Sequence, residues 1–118
     1  MANTIQLTEQ KGVQVVGFAP RTELDAANIA EMQAALYRLV DEGRDRRMVL
    51  DLSNVQFASS QALGCFVTLR LKAARTNCNL VMAAVPAVLL EIVQLTQLDK
   101  LYEIHPSLPA AIERLTSG

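Results

Sequence analysis

The sequence predicts an α/β fold: a mixed sheet of about four to six strands with four α-helices. Three observations carry this reading. Ile5 and Leu7, then Val13 and Val15, alternate with polar residues on either side of Lys11-Gly12, the pattern of a strand, a tight turn and a strand. Two short apolar runs, Met48–Leu52 and Leu80–Ala84, read as strands covered on both faces. Between and after them lie amphipathic stretches with helical spacing, and such alternation builds parallel crossovers.

The elements follow in order. Phe18-Ala19-Pro20 ends the N-terminal hairpin, and Thr22-Glu23-Leu24-Asp25 is a short link in which Asp25 suits a helix N-cap. Ile29, Met32, Leu36, Leu39 and Val40 trace one face of a helix over Ala26–Glu42, stopped by Gly43. After the first buried strand, Phe57-Ala58-Ser59-Ser60 reads as a loop. A helix then runs over about Gln61–Thr76, with Leu63, Val67, Leu71 and Ala74 as its buried stripe and Phe66 at the edge. Pro86 ends the second buried strand. Val88, Leu89, Ile92, Val93 and Leu95 form a third helix, Leu101–Ile104 a short edge strand, and Pro109 sits near the first turn of a fourth helix. Helices are expected over one face of the sheet more than the other.

Composition narrows the function. At 118 residues the chain fits one domain, taken as residues 1–118. Hydrophobic residues make up 51% and charged residues 19%, which excludes intrinsic disorder. Eleven basic and 12 acidic side chains give a net charge of −1, so neither nucleic acid nor an anionic membrane is indicated as partner. The lack of Trp and 4% aromatics also argue against a base-stacking surface. Cys65 and Cys78 do not make a disulfide scaffold. With one His, His105, and no close Cys pair, no metal or other cofactor is expected. Met1-Ala2-Asn3-Thr4 lacks the marks of a signal peptide, and the apolar run near Leu80–Leu90 is broken by Pro86, so the expected compartment is the cytoplasm without membrane insertion.

Catalysis is poorly supplied. His105 reads as a surface or turn histidine. Ser59 and Ser60 lack the glycines of a nucleophile elbow, and a hydrolase built on Ser60 would have no oxyanion motif. No phosphate-binding glycine motif occurs among the five scattered glycines. A binding or regulatory module is indicated, not an enzyme. The junction of the first buried strand with the second helix has definite physics. Ser59 or Ser60 is a natural N-cap there. The same helix terminus also tolerates a phosphate, which would add charge without unfolding the helix.

Four segments in order resemble the STAS family, the sulfate transporter and anti-sigma factor antagonist domains. Thr22-Glu-Leu-Asp25 resembles G-E-L-D, and Asp51-Leu-Ser-Asn-Val-Gln-Phe57 resembles D-L-S-G-V-x-F. Phe57-Ala-Ser-Ser-Gln-Ala-Leu-Gly64 resembles F-[IM]-D-S-[ST]-G-L-G, and Leu95–Ile104 resembles L-T-G-L-D-x-L-F-x-I. The resemblance runs from Ile5 to Leu115. It implies an anti-sigma factor antagonist that binds an anti-sigma factor with a histidine-kinase-like ATPase domain. It also implies a serine at the start of the second helix that the partner phosphorylates to block rebinding. In register with Leu63 and Gly64, that position holds Gln61, which cannot accept a phosphate; Ser60 or Ser59 is then the candidate acceptor. Leu69, with Cys65 beside it, falls on the expected outer face. The resemblance therefore implies a partner surface of Asp25, Ser59, Ser60, Gln61, Cys65 and Leu69, around residues 58–70. The alternatives are a STAS scaffold without a phosphate cycle, favoured by Gln61, and an accessory subunit of a membrane transporter. Oligomeric state is not fixed, though the N-terminal strand leaves an edge open to another chain.

Overall fold

A computed structural model describes residues 5–117; the Met1–Thr4 stretch, read above for leader features, lies outside the described residues. The elements are β1 (Ile5–Gln10), β2 (Val13–Phe18), β3 (Thr22–Leu24), α1 (Ile29–Asp41), β4 (Arg47–Asp51), β5 (Val55–Ala58), α2 (Ser60–Arg75), β6 (Asn79–Ala83), α3 (Ala87–Leu95), β7 (Ile104–His105) and α4 (Leu108–Thr116). A five-stranded sheet runs in the order β1-β2-β4-β6-β7, antiparallel between β1 and β2 and parallel elsewhere. The mixed sheet, the hairpin and the four α-helices are those the sequence predicts. Lys11 and Gly12 both take positive φ, 53° and 78°, as a two-residue turn that follows the strand twist requires.

Strand alternation divides the core in two. Met48 and Leu50 face α1, α2 and α3 together with Val16, Phe18, Leu80 and Met82. Val49, Val81, Val13 and Val15 face Ala111, Ile112 and Leu115 of α4. Three helices on one face against one on the other is the expected asymmetry.

Four details differ from the sequence reading. First, Thr22–Leu24, read as a link, and Phe57–Ala58, read as part of a loop, belong to β3 and β5, which pair in parallel as a separate two-stranded sheet, with Thr22 opposite Val55 and Leu24 opposite Ala58. Strands of three and four residues are too short to show a period. Second, α1 starts at Ile29 rather than Ala26, and Asp25 is not its N-cap. The Asp25 carboxylate accepts from the Ala27 N–H at 3.0 Å, while Asn28 Oδ1 accepts from the Asp25 N–H at 3.1 Å. That local turn outcompetes the helix for Ala26 and Ala27. Third, Gly43 does follow α1, but without positive φ. A Cβ there would lie 2.7 Å from both the Leu39 carbonyl and the Met48 methyl, so close approach demands the glycine. Fourth, the edge strand shrinks to Ile104–His105. A 3₁₀ turn at Leu98–Lys100 carries Tyr102 into the core, where its hydroxyl donates to the Phe66 carbonyl at 2.7 Å.

Candidate functional site

The site is the first turn of α2. Ser59 is the N-cap, with extended backbone at φ −71° and ψ 166°. Its Oγ accepts from the Ala62 N–H at 3.2 Å. Its own N–H donates to the Leu24 carbonyl at 2.9 Å, and its carbonyl accepts from the Leu63 N–H at 3.0 Å. The half-buried Ser59 is thus committed to holding the helix end. Ser60 and Gln61 are the first two helical residues, and both are exposed. No acidic residue lies in this first turn, so the positive end of a sixteen-residue helix meets solvent without a carboxylate of its own.

The β3–β5 pair brings the distant half of the site into place. Because Leu24 pairs with Ala58, the next residues along, Asp25 and Ser59, emerge side by side. Four of the residues singled out from sequence, Asp25, Ser59, Ser60 and Gln61, therefore share one end of the molecule.

Cys65 and Leu69 do not join them. Leu69 is fully buried and Cys65 is 3% exposed; with Ala62, Phe66 and Ala73 they form the core face of α2. The stripe expected to be buried is rotated outward instead: Leu63 and Val67 are half-buried, Ala74 is exposed and Leu71 is 53% exposed. Apolar residues occur all round this helix, so periodicity alone selects no face. The core chose the side with small residues, Ala62, Cys65 and Ala73, which let the helix approach the sheet closely. Burial pushes the Cys65 thiol up, and a hydrogen bond from Tyr37 opposes this; the neutral thiol is a packing group, not a nucleophile.

Exposed apolar side chains lie instead on β5, which leads into the site, and on α3, which packs against β5. Phe57 on β5 is 48% exposed, and Val88 in the first turn of α3 is 63% exposed. Sequence reasoning did not place them on this surface. In β5 Gln56 and Phe57 are both exposed between buried Val55 and Ala58, so no alternation marks either. His105 Nε2 faces Glu103 Oε1 at 3.2 Å. Among the described residues, no three His, Cys, Asp or Glu side chains converge as a metal site would need, and no helix is long and apolar enough to cross a membrane.

Solved structures share this fold. An anti-sigma factor antagonist from Mycobacterium paratuberculosis is 24% identical, with a TM-score of 0.82 over 94% of this chain and 92% of that one. An anti-sigma-factor antagonist (STAS) domain protein from Planctomyces limnophilus is 16% identical, with a TM-score of 0.83 over 95% and 98%. The anti-sigma factor antagonist SpoIIAA of Bacillus in its unphosphorylated form is 14% identical, with a TM-score of 0.78 over 97% of each chain. Its phosphorylated form superposes with a TM-score of 0.70 over 94% and 98%. At these identities the structures establish the fold. The family model of the STAS domain matches residues 4–111, nearly the whole length, and the chain belongs to the STAS domain family.

Proposed function

We propose that the chain, residues 1–118, is one STAS domain that works in the cytoplasm by binding, as an anti-sigma factor antagonist. Its partner is an anti-sigma factor with a histidine-kinase-like ATPase domain, and docking frees a sigma factor. The observation that carries this reading is the exposed first turn of α2 held beside Asp25 by the β3–β5 pair. The docking surface comprises Asp25, Ser59, Ser60 and Gln61, with Phe57 and Val88 as apolar contacts. Cys65 and Leu69, buried in the core, take no part.

Ser60 is the phosphoacceptor. Ser59 is occupied as the cap, whereas Ser60 is exposed one residue into the helix. In the transfer, Ser60 Oγ bonds to the γ-phosphorus of the partner's ATP, the bond to the β-phosphate oxygen breaks, and ADP leaves. The hydroxyl proton passes to a base of the partner. The product adds about −1.5 to −2 charges where the helix terminus favours an anion. The helix survives, and the docking surface gains negative charge.

Gln61 supports a second reading. An amide at the family's acceptor position keeps that position uncharged, as a constitutive scaffold would. Intact mass after incubation with host extract and ATP separates the two, with Ser59→Ala and Ser60→Ala alongside. One added phosphate, lost only in Ser60→Ala, is the expected result. No phosphate on the wild-type chain, with a second STAS protein labelled in the same extract, refutes the switch and leaves the scaffold.

A further inference from the structure

We propose that two copies of this chain associate about a twofold axis through β1 and α1. Among the described residues, β1 is paired on one side only, with β2. The two-residue turn makes Gln10 and Val13 the hydrogen-bonded pair that closes the hairpin. Alternation then commits the backbone groups of Gln6, Thr8 and Gln10 to β2 and directs those of Ile5, Leu7 and Glu9 outward. The edge carries no Pro, no Lys and no bulge, the usual devices against edge pairing; Glu9 is its one charge.

The side chains of the outward-bonding residues border a groove. Ile5 and Leu7 line it from β1, and Met32, Ala35 and Leu39 from α1, enclosing about 300 Å³, with Glu31 and Arg38 at its rim. Leu7 is 48% exposed there.

The charge pattern selects a second copy as the occupant. Glu31 and Arg38 stand seven residues apart on α1, roughly 10 Å along one face. Ala34 and Ala35, both exposed, lie midway between them. A copy of α1 laid antiparallel across these alanines sets each Glu31 against the copy's Arg38, and the small side chains let the helices close. The strands obey the same axis. Leu7 is the middle of the outward trio, so antiparallel pairing of Leu7 with the copy's Leu7 sets Ile5 against the copy's Glu9 and uses every free backbone group. Leu7 and Ala35 line the same groove, so one axis serves strand and helix. The interface is isologous, and it joins two five-stranded sheets into one.

Sedimentation equilibrium on the full chain tests this. The expected mass rises with concentration to twice 12.9 kDa. Arg38→Glu should weaken association at least about tenfold by turning two attractive pairs into repulsive ones. The exchange Glu31→Arg with Arg38→Glu should restore it. Leu7→Lys should abolish it with an unchanged circular dichroism spectrum, which separates loss of contact from loss of fold. A mass that stays at 12.9 kDa throughout the micromolar range overturns the proposal. So does a dimer indifferent to Arg38→Glu and Leu7→Lys, and so does association seen only when a foreign protein is added.

Discussion

Replacing Leu69 and Leu71 in turn by alanine tests the orientation of α2, on which the proposed docking surface depends. Leu69 is 0% exposed and Leu71 53% exposed, only two residues along the same helix. Leu69→Ala removes three carbons from a closed core. At about 0.8 kcal/mol for each buried carbon the transfer loss is about 2.4 kcal/mol, and the cavity left behind raises it to about 3–4 kcal/mol. Leu71→Ala gives up less than half of that burial and opens no cavity, so its cost is at most about 1 kcal/mol. Urea unfolding followed by circular dichroism reads both, with ΔG taken from midpoint and slope. For a domain of this size the first change corresponds to a fall of about 12–16 °C in Tm and the second to a few degrees. Equal costs, or a greater cost at Leu71, would refute the observed rotation. They would restore the stripe of Leu63, Val67, Leu71 and Ala74 to the core.

Two further outcomes follow from the same packing. Burial pushes up the Cys65 and Cys78 thiols and the Tyr102 hydroxyl from ordinary values of 9.0 and 10.0. The unfolded chain therefore loses these protons first, so stability is complete below about pH 9 and falls as pH rises, by up to about 1.4 kcal/mol per unit for each group; urea midpoints that stay flat between about pH 8 and pH 10.5 would contradict this. Gly64→Ala should raise stability by about 0.5–1 kcal/mol, because a Cβ at Gly64 meets nothing within 4 Å and a helix interior favours alanine; a lower urea midpoint would refute it.

The main sheet was legible because its strands have strong local signals. Lys11-Gly12 marks the hairpin between two alternating runs, and Met48–Leu52 and Leu80–Ala84 are apolar enough to require cover on both faces. Helix α1 was legible in its face, since Ile29, Met32, Leu36 and Val40 are all buried. Its start was not, because Asp25 and Asn28 satisfy each other's turn rather than cap the helix. The rotation of α2 was hidden for a different reason. Large aliphatic residues mark a core face only when the opposite face is polar, and here Ala62 and Ala73 carry the contact while Leu71 is left outside. The β3–β5 pair was hidden because its ladder joins segments some 30 residues apart, each too short to register a pattern. The site inherits both failures. Its local half was readable in part from helix-capping chemistry, which marked Ser59 and Ser60, while Gln61 came from the resemblance to the family motif. Phe57 and Val88 needed the tertiary arrangement.

The corrected rotation also decides what a partner docking at the proposed surface would meet. Successive residues on a helix turn by about 100°, so Ser60 lies about 160° from Ala62 at the centre of the buried face, and Gln61 only about 100° from it. Ser60 thus points away from the core, while Gln61 points along the flank that carries Lys72 toward Asp41 of α1. A kinase that modifies Ser60 must approach the outward face rather than the α1 flank. On that face, one turn beyond Ser60, is Gly64, exposed and with no neighbour that a Cβ would touch. Neither strain nor packing requires a glycine there, and a helix interior bears a cost for it. A surface that a partner's backbone must approach closely has a use for that gap. The same face continues past Val67 to the exposed Leu71, so apolar contact is available two turns farther along. An acceptor at Ser60, as proposed, would therefore bring the partner to the open back of α2 rather than to the groove between α1 and α2.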